Sequence, residues 1–383
     1  MTDWPVKTLG EVALVGAGNS APQDKELFKG GIHRFVRTSD VGLVRIGRLG
    51  ESADLLNDAG AEGLREFRAG VTLIPKSGAS TFLNHRVQLT KPCFVSSHLA
   101  VVDSNPEVMD DTFMFYFLQT VRSQDLIQDQ SYPSLNLPAI SGINVLVPPL
   151  EEQKRIVVLL DAATARVTEL TACYEQARTH ANNLFTSALR DALESNPDWP
   201  VKTLGDVCEV VAGQSPEGKF YNKDGKGVPF YQGKKDFAER VLGSPTTWTT
   251  EVTKLARPGD ILMSVRAPVG PVNLCPIKAC IGRGLAAIRP SSNTDTDFIY
   301  YYLESIQSEI AGTEGAVFAS INKAQIAGLR CPVPPLEEQK QIVARLDSMR
   351  AKTSEMVVAY DAKLTAAKIL RQSILESAFA GDL

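Results

Sequence analysis

The heptapeptide Pro-Pro-Leu-Glu-Glu-Gln-Lys occurs at residues 148–154 and again, without change, at residues 334–340. A second stretch, Trp-Pro-Val-Lys-Thr-Leu-Gly, stands at residues 4–10 and 199–205. The first pair lies 186 residues apart and the second pair 195, so the segment between them is nine residues longer in the first copy. Such a period is too long for a solenoid and indicates a duplicated domain with constant ends and a divergent middle.

Each heptapeptide is predicted to begin a long helix, because two prolines precede it and two glutamates favour the positive end of the helix dipole. Apolar or small residues then recur at alternating spacings of four and three, which is typical of a coiled coil. The predicted contact positions are Ile156, Leu160, Ala163, Val167, Leu170, Tyr174, Ala177, Ala181, Leu184 and Ala188, then Ile342, Leu346, Met349, Thr353, Met356, Tyr360, Lys363, Ala367, Leu370 and Ile374. A pseudo-two-fold axis predicts antiparallel helices. The alternative is that each helix packs on its own globular domain.

The divergent middles contain short β-rich runs that are separated by Gly, Pro and Asn turns. Strands are predicted at residues 71–74, 100–102, 261–263 and 286–288, and one amphipathic helix per copy at 112–122 and 297–310. The predicted fold class is mixed α/β, with two globular domains separated by two long antiparallel coiled-coil helices in a pseudo-two-fold internal repeat. The predicted boundaries are 1–147 and 197–333 for the globular domains, and 148–196 and 334–383 for the helical segments.

The charge is unevenly distributed along the chain. The net charge of −4 argues mildly against nucleic acid as a partner. Residues 210–290, however, hold 12 basic against 6 acidic side chains, and residues 15–95 hold 11 against 8. Residues 150–196 hold 5 basic against 7 acidic. The basic surplus in both middles fits nucleic-acid binding, and an ordinary solvated surface is the alternative.

The N-terminal sequence has no basic n-region or apolar h-region, and no apolar run approaches the ~20 residues of a membrane span. We therefore expect no signal peptide, no membrane partner and a cytoplasmic protein. The cysteines show no Cys-x-x-Cys pair, so we expect buried free thiols rather than a metal site. They are Cys93, Cys173, Cys208, Cys275, Cys280 and Cys331.

No duplicated catalytic constellation is present in the sequence. Residues 213–219 approach the phosphate-binding P-loop but lack the Ser or Thr after lysine. Residues 196–199 lack the second proline of the amino-methyltransferase motif, and the four histidines are scattered. The sequence thus favours a binding protein without enzymatic activity, metal or cofactor. A scaffold that binds no DNA and a nucleotide-dependent enzyme using Gly213–Lys219 remain alternatives.

With these repeats the chain resembles the DNA specificity (S) subunits of Type I restriction-modification enzymes. The resemblance is carried by both heptapeptides with their nearby Ile-Val, by Trp-Pro-Val-Lys-Thr-Leu-Gly, and by the closing run at residues 370–383. It implies two target-recognition domains, each reading one half of a bipartite, asymmetric site in double-stranded DNA. The helices would set the spacing and dock two methyltransferase (M) subunits, and a restriction (R) subunit would join. S-adenosylmethionine, ATP and Mg²⁺ would belong to these partners.

The length of the first helix suits such a spacer. A helix over residues 150–193 would measure ~66 Å at ~1.5 Å per residue. This is roughly two turns of DNA at ~34–36 Å each. Domains at its two ends could therefore meet one face of a duplex, and because the two middles differ, the half-sites are predicted to differ as well.

The resemblance also indicates candidate DNA contacts by position. They lie in the loop after the Gly-x-Pro-Phe-like segment, in the turn after Gly-Asp-Ile-Leu, and just before the next strand. The loop supplies Arg37, Thr38 and Ser39 in the first copy and Gln232, Lys234 and Lys235 in the second; the turn supplies Lys76 and Arg266; the last stretch supplies His98 and Arg283. Arg and Lys can read guanine and Gln can read adenine, while phosphate contact or plain surface is the alternative for each.

Overall fold

A computed structural model describes residues 4–127, 134–311 and 320–382 of the chain. The first three residues and Leu383, which the predicted boundaries include, lie outside the described residues. The chain divides into two compact units: unit 1 takes Met1–Glu175 and Ala362–Leu383, and unit 2 takes Gln176–Asp361. Each unit therefore contains part of both long helices.

Unit 1 is built from three described β-sheets and the helices that pack on them. Its strands are β1 (Val6–Thr8), β2 (Ala13–Ala17), β3 (His33–Val36), β4 (Ile46–Leu49), β5 (Asp54–Leu56), β6 (Glu66–Phe67), β7 (Thr72–Pro75), β8 (Arg86–Leu89), β9 (Cys93–Val95), β10 (Leu99–Ser104) and β11 (Asn144–Leu146). The sheet orders are β2-β10-β7-β8-β4, β5-β3-β9-β6 and β1-β11. The helices are α1 (Leu9–Val12), α2 (Thr38–Val44), α3 (Asp58–Ala61), α4 (Asp111–Thr120), α5 (Leu137–Ser141) and α6 (Leu150–Leu193), with 3₁₀ turns at Lys25–Phe28, Ala79–Leu83 and Ser123–Leu126.

Unit 2 repeats this plan in its described residues. Its strands are β12 (Val201–Thr203), β13 (Cys208–Ala212), β14 (Tyr221–Asn222), β15 (Val228–Tyr231), β16 (Trp248–Thr249), β17 (Leu255–Ala256), β18 (Ile261–Ser264), β19 (Val272–Leu274), β20 (Ala279–Ile281), β21 (Leu285–Pro290) and β22 (Arg330–Pro332). The sheet orders are β13-β21-β18-β19, β14-β16-β15-β20-β17 and β12-β22. The helices are α7 (Leu204–Val207), α8 (Thr296–Ser305), α9 (Gln307–Ala311), α10 (Lys323–Ala327) and α11 (Leu336–Ala380), with 3₁₀ turns at Gly218–Phe220 and Lys234–Asp236.

The mixed α/β fold with two long helices is confirmed, and all four predicted strands are present. The predicted helix over 112–122 is α4, whereas the one over 297–310 is divided between α8 and α9. Of the six cysteines, Cys173 is exposed on α6 and the others are buried free thiols. Among the described residues, no helix combines the length and apolar character needed to cross a lipid bilayer.

Matching hydrogen bonds show where the nine extra residues of the first copy lie. Asn19 donates its backbone N–H to the carbonyl that ends β9, as Gln214 does to the carbonyl that ends β20, at an offset of 195. Arg65 and Lys254 precede the equivalent strands β6 and β17, at an offset of 189. Six extra residues therefore fall between Asn19 and Arg65, the segment that contains α2 and β4, and three fall later.

The two long helices are antiparallel within each unit. In unit 1, the Lys363 Nζ lies 5.3 Å from the ring centroid of Tyr174, while Ile156 near the start of α6 shares a core with Ala378 near the end of α11. In unit 2, Leu189 and Leu346 share a core, and higher residue numbers on α6 again meet lower ones on α11. The helices also pack on the sheets, so both predicted packing modes occur together.

Five of the twenty predicted contact positions of the helix seam are wrong by one residue. Leu170 and Leu184 are 45% and 49% exposed, and Met356, Lys363 and Leu370 are exposed as well. The inward places are taken by the following residues, which are Thr171, Phe185, Val357, Leu364 and Arg371. Threonine can occupy such a place because its hydroxyl bonds to a carbonyl of the preceding turn, as Thr171 Oγ1 does to Val167 O at 2.8 Å.

The glutamine of each heptapeptide fastens a long helix to its globular domain. Gln153 and Gln339 are both fully buried. Gln339 accepts the backbone N–H of Asp295 at 2.8 Å and donates to the carbonyl of Pro334 at 2.8 Å. Gln153 makes the equivalent bonds with Asp110 (2.7 Å) and Pro148 (2.8 Å). The repeated heptapeptide is therefore a docking element, since its amide joins the helix start to the cap of α4 or α8.

Replacing Gln339 with leucine is expected to lower the free energy of unfolding of unit 2 by about 1–3 kcal/mol, because a buried N–H and a buried carbonyl lose their partner. Urea unfolding followed by hydrogen exchange in each unit measures this change. Gln176→Leu, an exposed position on α6, is the control and should stay within about 0.5 kcal/mol. Equal effects of the two variants would contradict the docking role.

A second link joins the domain of unit 2 to α11. The Arg240 guanidinium donates to Asp347 and to Asp297, both at 2.7 Å, and the Tyr301 hydroxyl donates to Asp347 at 2.6 Å. Burial tends to raise the pKa of Asp347, but the hydrogen bonds from Tyr301 and Arg240 together outweigh it and hold that pKa below its usual value. The domain and the helix are thus held together by charge as well as by apolar packing.

Candidate nucleic-acid interface

In each unit a three-residue link joins the two larger sheets, at residues 96–98 in unit 1 and 282–284 in unit 2. β10 starts just after the first link and is antiparallel to β2 and β7, so the carboxyl ends of those strands lie beside it. β3 is parallel to β9 and ends there too. The loops that leave these strands therefore gather at one edge of the sheets in each unit.

We name the two surfaces by the polar side chains that these loops carry. Loop cluster 1 consists of Asn19, Arg37, Arg65, Lys76, Ser77, Ser97 and His98. Loop cluster 2 consists of Gln214, Gln232, Lys234, Lys235, Lys254, Arg266 and Arg283. Each cluster belongs to one unit and is described within that unit.

Backbone hydrogen bonds hold loop cluster 2 together around its link. They are Gly282 N–H to Tyr231 O (2.8 Å), Val265 N–H to Gly284 O (2.9 Å) and Ile281 N–H to Lys254 O (2.9 Å), with Arg283 N–H to Ser215 Oγ (3.2 Å). Gly284 permits a close approach, because a Cβ atom there would lie 2.4 Å from the carbonyl oxygen of Gln232. This glycine therefore brings Gln232 beside Arg283.

Arg266 and Arg283 line one cavity of about 380 Å³ together with Ser320. Arg266 is also bridged through its backbone to Ser320. Two arginines lining one cavity could bind an anion such as phosphate, or the acceptor edge of a guanine. The structure thus brings together two residues that the sequence predicted separately.

The basic side chains of loop cluster 2 are free of carboxylates. Lys234, Lys235, Lys254, Arg266 and Arg283 are exposed, and in the part of the chain that the structure describes none of them forms a salt bridge. Several other basic side chains of unit 2 are paired, including Lys219 with Glu217, Arg240 with Asp297, and Arg289 with Asp260. The cluster therefore brings five positive charges that have no carboxylate partner among the described residues to one surface, as phosphate binding requires.

Loop cluster 1 has the same backbone plan with different side chains. Lys76 donates its N–H to the carbonyl of His98 at 3.0 Å, and the hydroxyl of Ser77 lies 2.8 Å from His98 Nδ1. Asn19 accepts the N–H of Ser97 at 2.7 Å. Lys76 and His98, which were also predicted separately, therefore adjoin each other.

Arg37 is more constrained than the sequence suggested. Its guanidinium pairs with Asp54 and lies 5.3 Å from the ring centroid of Phe35. Thr38 and Ser39 are the first residues of α2, and Ser39 is exposed. At this place loop cluster 1 presents a half-buried ion pair and a helix start, whereas loop cluster 2 presents Gln232 and two free lysines.

The predicted equivalences between the copies are wrong by one residue at two places. Lys76 occupies the place of Val265. The backbone N–H of each residue donates to a carbonyl of the three-residue link, and its own carbonyl accepts a backbone N–H from a later segment of the same unit. Ser77, rather than Lys76, is therefore equivalent to Arg266, as their bridges to Ser134 and Ser320 confirm. By the same bonds, Ser97 rather than His98 is equivalent to Arg283.

Sequence reasoning missed two equivalent pairs, Asn19 with Gln214 and Arg65 with Lys254. Arg65 and Lys254 are exposed, and neither forms a salt bridge within the described ranges. They lie five residues before Gly70 and Gly259, which belong to an aligned run of both copies. Extending that alignment three residues toward the N-terminus would have identified this basic position.

The Gly213–Lys219 segment is not a phosphate-binding loop. After β13 the chain makes only a 3₁₀ turn, so no α-helix N-terminus is available to hold a phosphate. Lys219 pairs with Glu217 at 2.6 Å. The nucleotide-dependent alternative thus loses its structural basis. Within residues 4–127, 134–311 and 320–382, no group of three or more His, Cys, Asp or Glu could hold a metal ion.

Comparison with known proteins gives consistent matches over both copies. A family model described as the Type I restriction modification DNA specificity domain matches residues 1–177 and again 196–359. The putative type I restriction enzyme MjaX specificity subunit of Methanocaldococcus jannaschii is 31% identical over 376 residues, covering 91% of this chain and 87% of that protein.

Two solved structures share the fold over nearly the whole chain. One, from work on complex assembly and conformational transition of the type I R-M system, matches with a TM-score of 0.85 and 30% identity, covering 99% of this chain and 98% of that one. The HsdS subunit from Thermoanaerobacter tengcongensis matches with a TM-score of 0.62 and 29% identity, covering 100% and 98% of the two chains.

Proposed function

The chain belongs to the specificity subunits of Type I restriction-modification systems and is a DNA sequence-recognition subunit, and from this premise we propose that each loop cluster reads one half of a bipartite site. Loop cluster 1 would contact one half-site and loop cluster 2 the other. The candidate recognition domains are residues 1–147 and 197–333, and the helical segments are 148–196 and 334–383.

The observation that carries this proposal is that the two clusters share backbone bonds but not side chains. Asn19 and Gln214 make the same bond to the end of β9 or β20, yet they differ in side-chain length. Ser77 stands where unit 2 has Arg266. Because one scaffold presents two unlike sets of polar groups, the half-sites should differ and the full site should not be a palindrome.

The predicted contact residues divide by chemistry. Lys234 and Lys235 are exposed point charges suited to phosphates, which position a protein on the duplex. Gln232, Arg266 and Arg283 can make bidentate bonds with base edges in the major groove. In unit 1, Lys76 and His98 are the candidates, with Ser39 beside them at the start of α2.

The long helices would set the distance between the half-sites and dock two methyltransferase subunits, with a restriction subunit completing the nuclease. Catalysis, S-adenosylmethionine, ATP and Mg²⁺ would then belong to those partners, and the chain would act in the cytoplasm on cellular DNA. The 44 residues of α6 support the spacer role, since they give a rod of ~66 Å at ~1.5 Å per residue.

Methylome sequencing of DNA modified by the chain together with its methyltransferase subunit tests the proposal. The expected result is one bipartite motif with two different halves separated by a fixed spacer. A continuous palindrome, or no motif, would contradict it. Binding across a salt series separates recognition from a DNA-independent scaffold, because phosphate contacts make affinity fall steeply with salt.

Replacing Arg266 with alanine is expected to weaken recognition of one half-site only. The expected factor is about 5–150, which corresponds to the loss of one bidentate base contact. Relative methylation of sites with single changes in each half measures this effect. Lys278→Ala, an exposed charge at the other end of β20, is the matched control and should leave both halves unchanged. Equal loss at both half-sites would contradict the assignment of loop cluster 2.

A further inference from the structure

The side chain of Asn19 is closed onto the backbone of Arg65. Asn19 Nδ2 donates to the carbonyl of Arg65 at 2.8 Å, and the Arg65 N–H donates to Asn19 Oδ1 at 2.8 Å. A longer bond of 3.4 Å joins Nδ2 to Val95 O. The side-chain amide of Asn19 thus hydrogen-bonds the backbone of Arg65 as a neighbouring β-strand would. It is therefore not available to contact a base.

The guanidinium of Arg65 is oriented by an aromatic ring. Its central carbon lies 4.8 Å from the ring centroid of Phe67, which is itself 3% exposed and fixed in β6. A planar guanidinium over a fixed ring loses little freedom on binding. Arg65 is exposed, and no carboxylate of the described chain pairs with it, so its hydrogen-bond donors face outward unsatisfied.

We propose that Arg65 reads a guanine in the half-site contacted by unit 1, and that Asn19 is its positioning residue. The two parallel N–H groups of the guanidinium match the O6 and N7 acceptors of guanine in the major groove. The inference rests on the proposed function, because it assigns a base to loop cluster 1. It adds a residue pair of loop cluster 1 that is not among the contact residues predicted from the sequence.

The equivalent place in unit 2 is built differently. Lys254 follows Thr253, whose hydroxyl donates to the carbonyl of Gln214, and the Gln214 side chain is exposed. Lysine is a point charge without the planar fork, so Lys254 is suited to a phosphate. Arg65→Lys removes the planar fork but keeps the positive charge, whereas Lys254→Ala removes a positive charge. Comparing the two variants therefore separates recognition of a base from attraction to phosphate.

The test is methylome sequencing together with competition binding for the complex of the full chain and its methyltransferase subunit. In Arg65→Lys, preference for guanine at one position of half-site 1 should fall about 5–150-fold. The salt dependence of binding should stay unchanged because the charge is retained, and half-site 2 should keep its specificity. Lys254→Ala should weaken binding to all sequences and reduce the salt dependence by about one phosphate contact.

Asn19→Ala tests the positioning role. Guanine preference should relax at the same single position as in Arg65→Lys, while the other positions of half-site 1 and the salt dependence remain. Loosening of the whole of half-site 1 would indicate a structural role and overturn the assignment of Asn19.

The outcomes for Arg65 are distinct from those for the proposed function. Absence of any bipartite motif with the unmodified chain would sink the proposed function itself. An intact motif that Arg65→Lys leaves unchanged would overturn the guanine assignment alone. A uniform loss of affinity in Arg65→Lys, without relaxed specificity, would also overturn it.

Discussion

Replacing Leu375 with alanine is expected to lower the free energy of unfolding of unit 1, most of which comes from the N-terminal half of the sequence, by about 2–5 kcal/mol. Leu375 lies near the end of α11 and is fully buried in the core of unit 1 with Ile156, Leu160 and Phe113. Truncation removes apolar contacts and leaves a cavity that the surrounding sheet and helices fill only in part. Native-state hydrogen exchange should show the loss in strands β2, β7 and β10.

The control is Leu189→Ala, which is the same substitution on the other long helix. Leu189 is 3% exposed and belongs to the core of unit 2 with Leu204 and Leu346. It should lower the stability of unit 2 and spare unit 1, although it lies on the helix that follows the first domain. If each variant destabilised only the domain preceding its helix, the division of the helices between the units would be incorrect.

This division of the helices could be predicted from the sequence only in outline. The repeated heptapeptides and their apolar spacing predicted two antiparallel helices, and residues 150–193 match α6. The spacing could not show that Thr171 faces inward and Leu170 outward, because, of two adjacent residues, the apolar leucine is the expected contact and the threonine is not. A hydroxyl that bonds to its own helix makes the inward place acceptable, and that bond is visible only in the fold.

The site was predictable where the copies align and not where they diverge. Arg266 and Arg283 were found because short shared runs flank them, and the structure places them on one cavity. Their supposed equivalents Lys76 and His98 were shifted by one residue, because the true equivalents Ser77 and Ser97 are not basic and a basic or histidine side chain lies one position away. The backbone hydrogen bonds fix the register between the copies.

Replacing Arg86 with methionine is expected to destabilise unit 1 by about 3 kcal/mol, through lost hydrogen bonds rather than lost volume. Arg86 is 1% exposed in β8 and donates to the carbonyls of Leu118 (3.0 Å) and Val121 (3.1 Å) and to the hydroxyl of Ser123 (3.1 Å). Leu118 and Val121 lie at the end of α4, where helix carbonyls lack partners within the helix. The guanidinium therefore caps α4 from the neighbouring sheet.

Two effects oppose each other in this variant. Burial lowers the pKa of Arg86 to about 10, so removing the charge relieves a cost of desolvation. The backbone carbonyls cannot be removed with it, however, and each buried acceptor left without a donor costs about 1–3 kcal/mol. The lost hydrogen bonds should therefore outweigh the relieved desolvation, and the variant should be less stable.

Thermal and urea unfolding of Arg86→Met, with hydrogen exchange measured in α4, show whether the free energy of unfolding falls or rises. Arg122→Met, an exposed arginine just beyond α4, should change stability by less than about 0.5 kcal/mol. An unchanged or more stable Arg86→Met would mean that water or the chain itself satisfies these carbonyls and that the capping role is wrong.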